Sequence, residues 1–146
     1  MKRALVLGAG NACRSQMAAS YLGFYAKGRL EVVSAGLEMT QPLNPYAVKA
    51  MAEDNLSISS HLSGALDAFA GQHFDYLITV CAEAVAAAEK MISYSKHVNY
   101  AIPDPTAFQG SLAETQAEFC RVRELVKKKM LKFIGEAVLE SPQLAA

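Results

Sequence analysis

Arg14 follows a run of small residues, Gly8-Ala9-Gly10-Asn11-Ala12-Cys13, and leads directly into Ser15-Gln16-Met17-Ala18. The four apolar residues before the run, Ala4-Leu5-Val6-Leu7, suit one buried strand, and Met17, Ala18, Tyr21 and Leu22 recur on one side of a helix. A strand, a tight small-residue turn and a helix N-terminus together make an anion site: backbone N–H groups converge and the helix dipole adds partial positive charge. Arginine in a first helical turn works against that dipole, so its presence argues for an oxyanion held in its fork. The residues expected to cradle that anion are Ala9, Gly10, Asn11, Ala12, Cys13, Arg14 and Ser15. Asn11 suits a left-handed loop position and Ser15 a helix cap. Cys13, close to a helix N-terminus, is expected to have a lowered thiol pKa.

A dinucleotide-binding turn uses similar residues, but the motif fails here. Gly8 and Gly10 supply its first half, the third glycine would fall at Cys13, and no acidic residue ends the next strand, Leu30 to Val33. Elsewhere, Cys81 follows an apolar strand and Asp104-Pro105 lies in a loop that prolines keep irregular. Cys120 reads as core or core edge. His61, His73 and His97 have no metal-ligand spacing to one another or to the cysteines, so no metal or cofactor is expected. Tyr94, Tyr100 and Phe108 flank the Asp104 loop, and ordinary packing accounts for them.

The elements that would position these residues alternate along the chain. The patterns predict helices over 16–27, from Pro45 to about Asp54, near Leu66 to Ala70, over 82–90, and from Ser111 to about Leu139. Asn44-Pro45 reads as an N-cap with proline at the first helical position, and Ser111 with Glu114 as a capping box. Strands are predicted at 4–7, 30–33, 75–80 and, weakly, 98–101. This alternation implies an α/β three-layer sandwich, a four-stranded parallel sheet with helices on both faces. Ligands then sit at the carboxyl ends of the strands, where Gly8, Ser34, Cys81 and Asp104 all fall.

Composition narrows the classes further. A chain of 146 residues suits one domain, expected over 1–140 with a frayed tail at 141–146. Zero net charge and no basic run argue against nucleic acid. Apolar residues make up 52%, yet no uninterrupted stretch approaches the ~18 residues of a membrane span. The N-terminal apolar run is too short for a signal peptide. Three widely spaced cysteines argue against a disulfide framework and for a reduced, cytoplasmic setting. No feature speaks to oligomeric state.

Asn11 to Ala18 resembles the phosphate loop of low-molecular-weight protein tyrosine phosphatases, and most closely the thioredoxin-coupled arsenate reductases of that fold. The likeness continues through Ser34-Ala35-Gly36, Leu43-Asn44-Pro45, Ala47 to Met51, Thr79-Val80-Cys81, Asp104-Pro105 and Phe119 to Arg123. It implies the phosphotyrosine protein phosphatase I-like fold. It also implies catalytic-site positions at Arg14, Asp104 as general acid, and Cys81 as a second redox cysteine. The family loop is cysteine, five residues, arginine. Counting back from Arg14 puts the nucleophile position at Gly8, which has no attacking atom, and the third redox cysteine would fall at Ala88. Three readings follow: an oxyanion-binding relative without the covalent step, an active enzyme in which Cys13 has taken over or Gly8 is a replacement in a competent chain, and a non-catalytic interaction domain.

Overall fold

The computed structural model describes residues 1–9, 13–37, 42–58 and 64–139. The expected tail at 141–146, the loop residues Gly10, Asn11 and Ala12, and His61 lie outside the described residues. Five parallel strands form the sheet: β1 (Lys2–Gly8), β2 (Leu30–Gly36), β3 (Gly64–Ala65), β4 (His73–Thr79) and β5 (Ser93–Asn99), in the order β3-β2-β1-β4-β5. The four long strands are those of the expected sheet, and β3 adds two residues at the β2 edge. Helices α1 (Arg14–Tyr25), α2 (Pro45–Glu53), α3 (Glu83–Met91) and α4 (Leu112–Phe133) connect or follow them.

Both faces of the sheet are covered, as its parallel strands require. Ala4, Val6, Tyr76 and Ile78 point to one side and pack with Met17, Tyr21 and Leu22 of α1, Met51 of α2, and Phe119, Val122 and Val126 of α4. Leu5, Leu7, Phe74 and Leu77 point to the other and pack with Ala84 and Ala88 of α3 and with Leu66. The period-two alternation of a strand splits β1, and Tyr76 to Ile78 of β4, between two cores, while Phe74 at the start of β4 joins the second core out of that alternation. Ala88 is fully buried in the second core.

Local signals set most boundaries. Asn44 Oδ1 accepts hydrogen bonds from the N–H groups of Tyr46 (2.9 Å) and Ala47 (3.4 Å), with Pro45 next to it, and opens α2. The reciprocal Ser111–Glu114 box opens α4, which passes into a wider π-helical turn over Ile134–Leu139. Gly71 follows the 3-10 turn Leu66–Phe69 with φ of 80°, a left-handed value that suits glycine.

Several sequence expectations need correction. Helix α1 begins at Arg14 and ends at Tyr25, before the turn that carries Gly28 at φ 82°. Strand β2 runs past Ser34 to Gly36, because β1 offers partners as far as Gly8. The last strand is Ser93–Asn99 rather than 98–101. Its sequence, SYSKHVN, has no apolar run, since an edge strand buries little. Its register comes instead from β4, pairing His73 with Ser93 through to Thr79 with Asn99. Polar side chains reinforce that register: His73 ring nitrogens meet the hydroxyls of Ser93 (2.7 Å) and Ser95 (3.0 Å), and Thr79 donates to Asn99 Oδ1 (2.7 Å).

Candidate functional site

The strand order reverses between β1 and β4. From β1 the chain goes on to α1 and β2, and from β4 to α3 and β5 on the opposite side. Crevices of this kind, at the carboxyl ends of the strands, are where open α/β sheets bind ligands. Here that switch point lies between Gly8 and Val80-Cys81. Val80 N–H donates to Leu7 O (3.1 Å), holding the two strand ends side by side. Pairing between β4 and β5 continues past their ends: Tyr100 N–H donates to Thr79 O (2.9 Å) and Ile102 N–H to Val80 O (3.4 Å). That extension brings the segment carrying Asp104 to the same edge.

Arg14 is the first residue of α1, and its side chain crosses to both of these loops. Nη1 donates to Ile102 O at 2.8 Å and reaches Val80 O at 3.5 Å, while Nη2 lies 3.9 Å from Asp104 Oδ2. Two carbonyls and a carboxylate thus already offset a cation placed against the helix dipole. An external anion is therefore not required to explain its position, contrary to the sequence argument. The guanidinium side chain is only 15% exposed, so its direction is fixed by packing as well as by hydrogen bonds.

Asp104 is fixed locally. Its Oδ1 accepts from the N–H (3.0 Å) and hydroxyl (2.6 Å) of Thr106, capping the short 3-10 turn Pro105–Ala107. Its other oxygen faces Arg14. Neither Thr106 nor the Ile102 and Val80 carbonyls figure among the sequence candidates. The Asp-Pro-Thr spacing of a side-chain-capped turn was the available signal for Thr106. Backbone acceptors leave no mark in sequence.

Gly8 is buried at the centre of this edge. A Cβ built on it would stand 3.1 Å from both Cβ and Oγ of Ser15 and 3.2 Å from Cγ2 of Val80. The direction a side chain would take at position 8 is therefore toward the Ser15 hydroxyl. Ser15 is the second residue of α1, so it is not the cap; Cys13 holds that position, with no side-chain cap bond.

Cys13 does not match the expectation for an activated thiol. Cys13 packs in the core beneath α1, α2 and α4, and burial pushes its thiol up to about 12, outweighing the opposing pull of the neighbouring Arg14. The lowered value expected from the helix N-terminus is overturned by that desolvation. Cys81 is also raised, first by burial; the Ala84 N–H pulls it down, and a hydrogen bond to Glu83 pushes it up. Cys120 lies at the core edge, as expected, and donates to Glu53 Oε2 at 3.3 Å. No group of three metal-ligating side chains occurs among the described residues. His97 Nε2 is 2.9 Å from the Thr79 hydroxyl, and Tyr94 packs against the His97 ring, both in structural roles. Tyr100 packs against the first core, and Phe108 is partly exposed.

Of the residues singled out in the sequence, the edge brings together Gly8, Arg14, Cys81 and Asp104. Ala9, at the rim, holds Leu37 N–H through its carbonyl at 2.8 Å. Parallel strands covered on both faces, with an arginine-led helix at the switch point, define a three-layer α/β fold. The model of the low molecular weight phosphotyrosine protein phosphatase family matches residues 3–143, and the chain belongs to that family. It is 35% identical to an arsenate reductase of Bacillus subtilis over 124 residues, covering 85% of this chain and 88% of the relative. An arsenate reductase of Halalkalibacterium halodurans is 36% identical over the same length and coverage. Among solved structures, an arsenate reductase in its oxidized state superposes with a TM-score of 0.79 at 25% identity, covering 93% of this chain and 98% of that one. The tyrosine phosphatase Wzb from Escherichia coli K30, solved in complex with sulphate, shares the fold with a TM-score of 0.73 at 17% identity, over 93% of this chain and 99% of that one.

Proposed function

We propose that this chain binds a small tetrahedral oxyanion at the Gly8–Arg14 edge and lacks the covalent step of its family. The observation that carries this reading is where the elements meet: the first turn of α1 and its Arg14 guanidinium stand at the carboxyl ends of β1 and β4, where the strand order reverses and open parallel sheets bind their ligands. The guanidinium is anchored by Ile102 O and set beside Asp104, at the β1–β4 switch point whose β1 end is the buried Gly8. Loop amides of residues 9–14 would supply the remaining donors, and the Arg14 fork the charge. Family relatives solved with anions support the class of ligand: one arsenate reductase in a phosphate-binding state, and Wzb proteins with sulphate or benzylphosphonate.

Gly8 is read as standing where the family carries its attacking cysteine. Its missing side chain would point at Ser15 Oγ, the hydroxyl that in the resemblance serves the thiolate. Covalent attack needs a nucleophile about 3 Å from the reacting atom and in line with the leaving group. Rescue by Cys13 is opposed by its burial in the core and by a thiol held protonated. Asp104 and Cys81 keep the positions of a general acid and a second redox thiol, with nothing to assist. Ala88, packed beneath the sheet, stands where the third redox cysteine would be. On this reading the protein is a cytoplasmic sensor or binding module that needs no cofactor. No helix among the described residues is long and apolar enough to cross a membrane.

Calorimetric titration with inorganic phosphate tests it. Wild type should bind, and Arg14→Ala should weaken binding at least about tenfold, the loss of a charge-assisted fork. Unchanged affinity in the variant would refute the proposal.

A further inference from the structure

We propose that the end of the molecule opposite the Arg14 edge docks on an anionic phospholipid bilayer, a peripheral contact that needs no spanning segment. Helices α1 and α4 run side by side away from that edge. Arg14 opens α1 beside Asp104, and α4 starts next to the 3-10 turn that Asp104 caps. Further along, the Tyr21 hydroxyl and Lys127 Nζ meet at Asp54 Oδ2. Tyr25 and Leu131 each stand one turn beyond that meeting point, on the stripes of Tyr21 and Lys127. Tyr25 stacks on Tyr21 at 6.3 Å, and the Phe24 ring meets Tyr25 edge-on at 5.0 Å. The turn over 26–29 leads into β2, whose Leu30 pairs with Lys2, so Met1 comes to the same end.

Six large hydrophobic side chains are exposed among the described residues, and four of them gather here: Met1 (81%), Phe24 (57%), Tyr25 (40%) and Leu131 (42%). Cations surround them. Lys27, Arg29, Lys128 and Lys132 are exposed and enter no ion pair among the described residues. The acids nearby are already engaged: Glu31 with Arg3 at 3.5 Å, Glu124 with Arg123 at 3.1 Å and Asp54 with Lys127 at 3.2 Å. The chain has no net charge, so a positive end implies a negative remainder, and α4 shows it, with Glu114 and Glu118 in its first turns. Helix dipoles favour cations at the ends of α1 and α4, but they give no reason for Phe24 and Leu131 to stand exposed among them.

Charge complementarity selects the occupant. A second copy docking by this same end would set like charges against each other. The apolar side chains protrude singly, and a fluid interface takes such groups in without a matching pocket. There phenylalanine and tyrosine rings settle at headgroup depth, and lysine stems lie along the apolar boundary with their charges on lipid phosphates and carboxylates.

The test is co-sedimentation of the full chain with vesicles of phosphatidylcholine alone and of phosphatidylcholine with about 30% phosphatidylserine. Wild type should partition at least about tenfold more strongly onto the anionic vesicles, and raising NaCl from about 0.1 to about 0.5 M should remove most of that binding. Lys27→Glu combined with Lys128→Glu should weaken it at least about tenfold, and Phe24→Ser about fivefold. All three positions are exposed, so the variants should unfold at the wild-type temperature. Equal partitioning of wild type onto both compositions, or no binding to either, would overturn the proposal without reference to any variant. Binding that survives the charge reversals would do the same. A preference for soluble polyglutamate over the vesicles, indifferent to Phe24→Ser, would assign this end to an acidic protein and likewise overturn it.

Discussion

Arg14 carries more of the site than its charge. Its planar fork reaches Ile102 O, Val80 O and the neighbourhood of Asp104 from one rigid group. A lysine has a point charge and a flexible stem, so Arg14→Lys should lose phosphate affinity nearly as fully as Arg14→Ala, by about tenfold in the same titration. Cys13 is the second residue with a consequence of its own. Its folded-state pKa is raised from 9.0 to about 12 by burial, so its contribution to stability is fully present below pH 9 and is lost as the pH climbs from 9 toward 12. Urea unfolding at pH 7 and pH 10 should show a larger alkaline loss in wild type than in Cys13→Ala. A residual loss should remain in the variant, because Tyr21 and Cys81 are shifted in the same direction. A reactive Cys13 at pH 7, with alkylation as fast as that of an unfolded thiol, would contradict its placement in the core.

Among the elements, the layer of α1, α2 and α4 is tied by one polar cluster. The buried Tyr21 hydroxyl of α1 donates to Asp54 Oδ2 at 2.8 Å, and Lys127 of α4 reaches the same oxygen at 3.2 Å. Arg123 of α4 donates to Ala50 O of α2 at 2.8 Å. Tyr21→Phe removes one hydrogen bond to a charged acceptor and leaves the ring in place, and should cost roughly 1–2 kcal/mol at pH 7. The Tyr21 hydroxyl is also the main reason the Asp54 carboxyl sits below its usual 3.8. A depressed carboxyl stabilises the fold above its unfolded pKa and loses that contribution as pH falls through the folded value. The stability gap between wild type and Tyr21→Phe should therefore narrow below pH 3.8, as followed by thermal unfolding. The helices in this layer were legible in sequence because caps and 3.6-residue periodicity are local: Asn44-Pro45 and Ser111 with Glu114 announce their starts. Strand β5 was misplaced because its determinants are not local; Ser93, Ser95 and Asn99 make sense only opposite His73 and Thr79. The site was legible in the same uneven way. Side chains that come together at strand ends, Arg14, Cys81 and Asp104, follow from topology. The carbonyls that hold Arg14, and the burial that silences Cys13, depend on packing that no spacing reveals.

For the whole molecule, the switch point between β1 and β4 is where stability and function meet. Gly8 lets the end of β1, the start of α1 and Val80 approach one another, and an added Cβ would press on Ser15 and Val80 at 3.1–3.2 Å. Gly8→Ala should therefore cost roughly 1–3 kcal/mol, since both neighbours are buried and must shift together. Gly8→Cys should carry a similar cost, yet gain aryl phosphatase activity if the rest of the edge is intact. Arsenate reduction would need Ala88→Cys as well. The most direct measurement is made on the unaltered protein: release of p-nitrophenol from p-nitrophenyl phosphate. No release above buffer is expected while inorganic phosphate still binds. Turnover well above buffer that disappears in Cys13→Ser would contradict it.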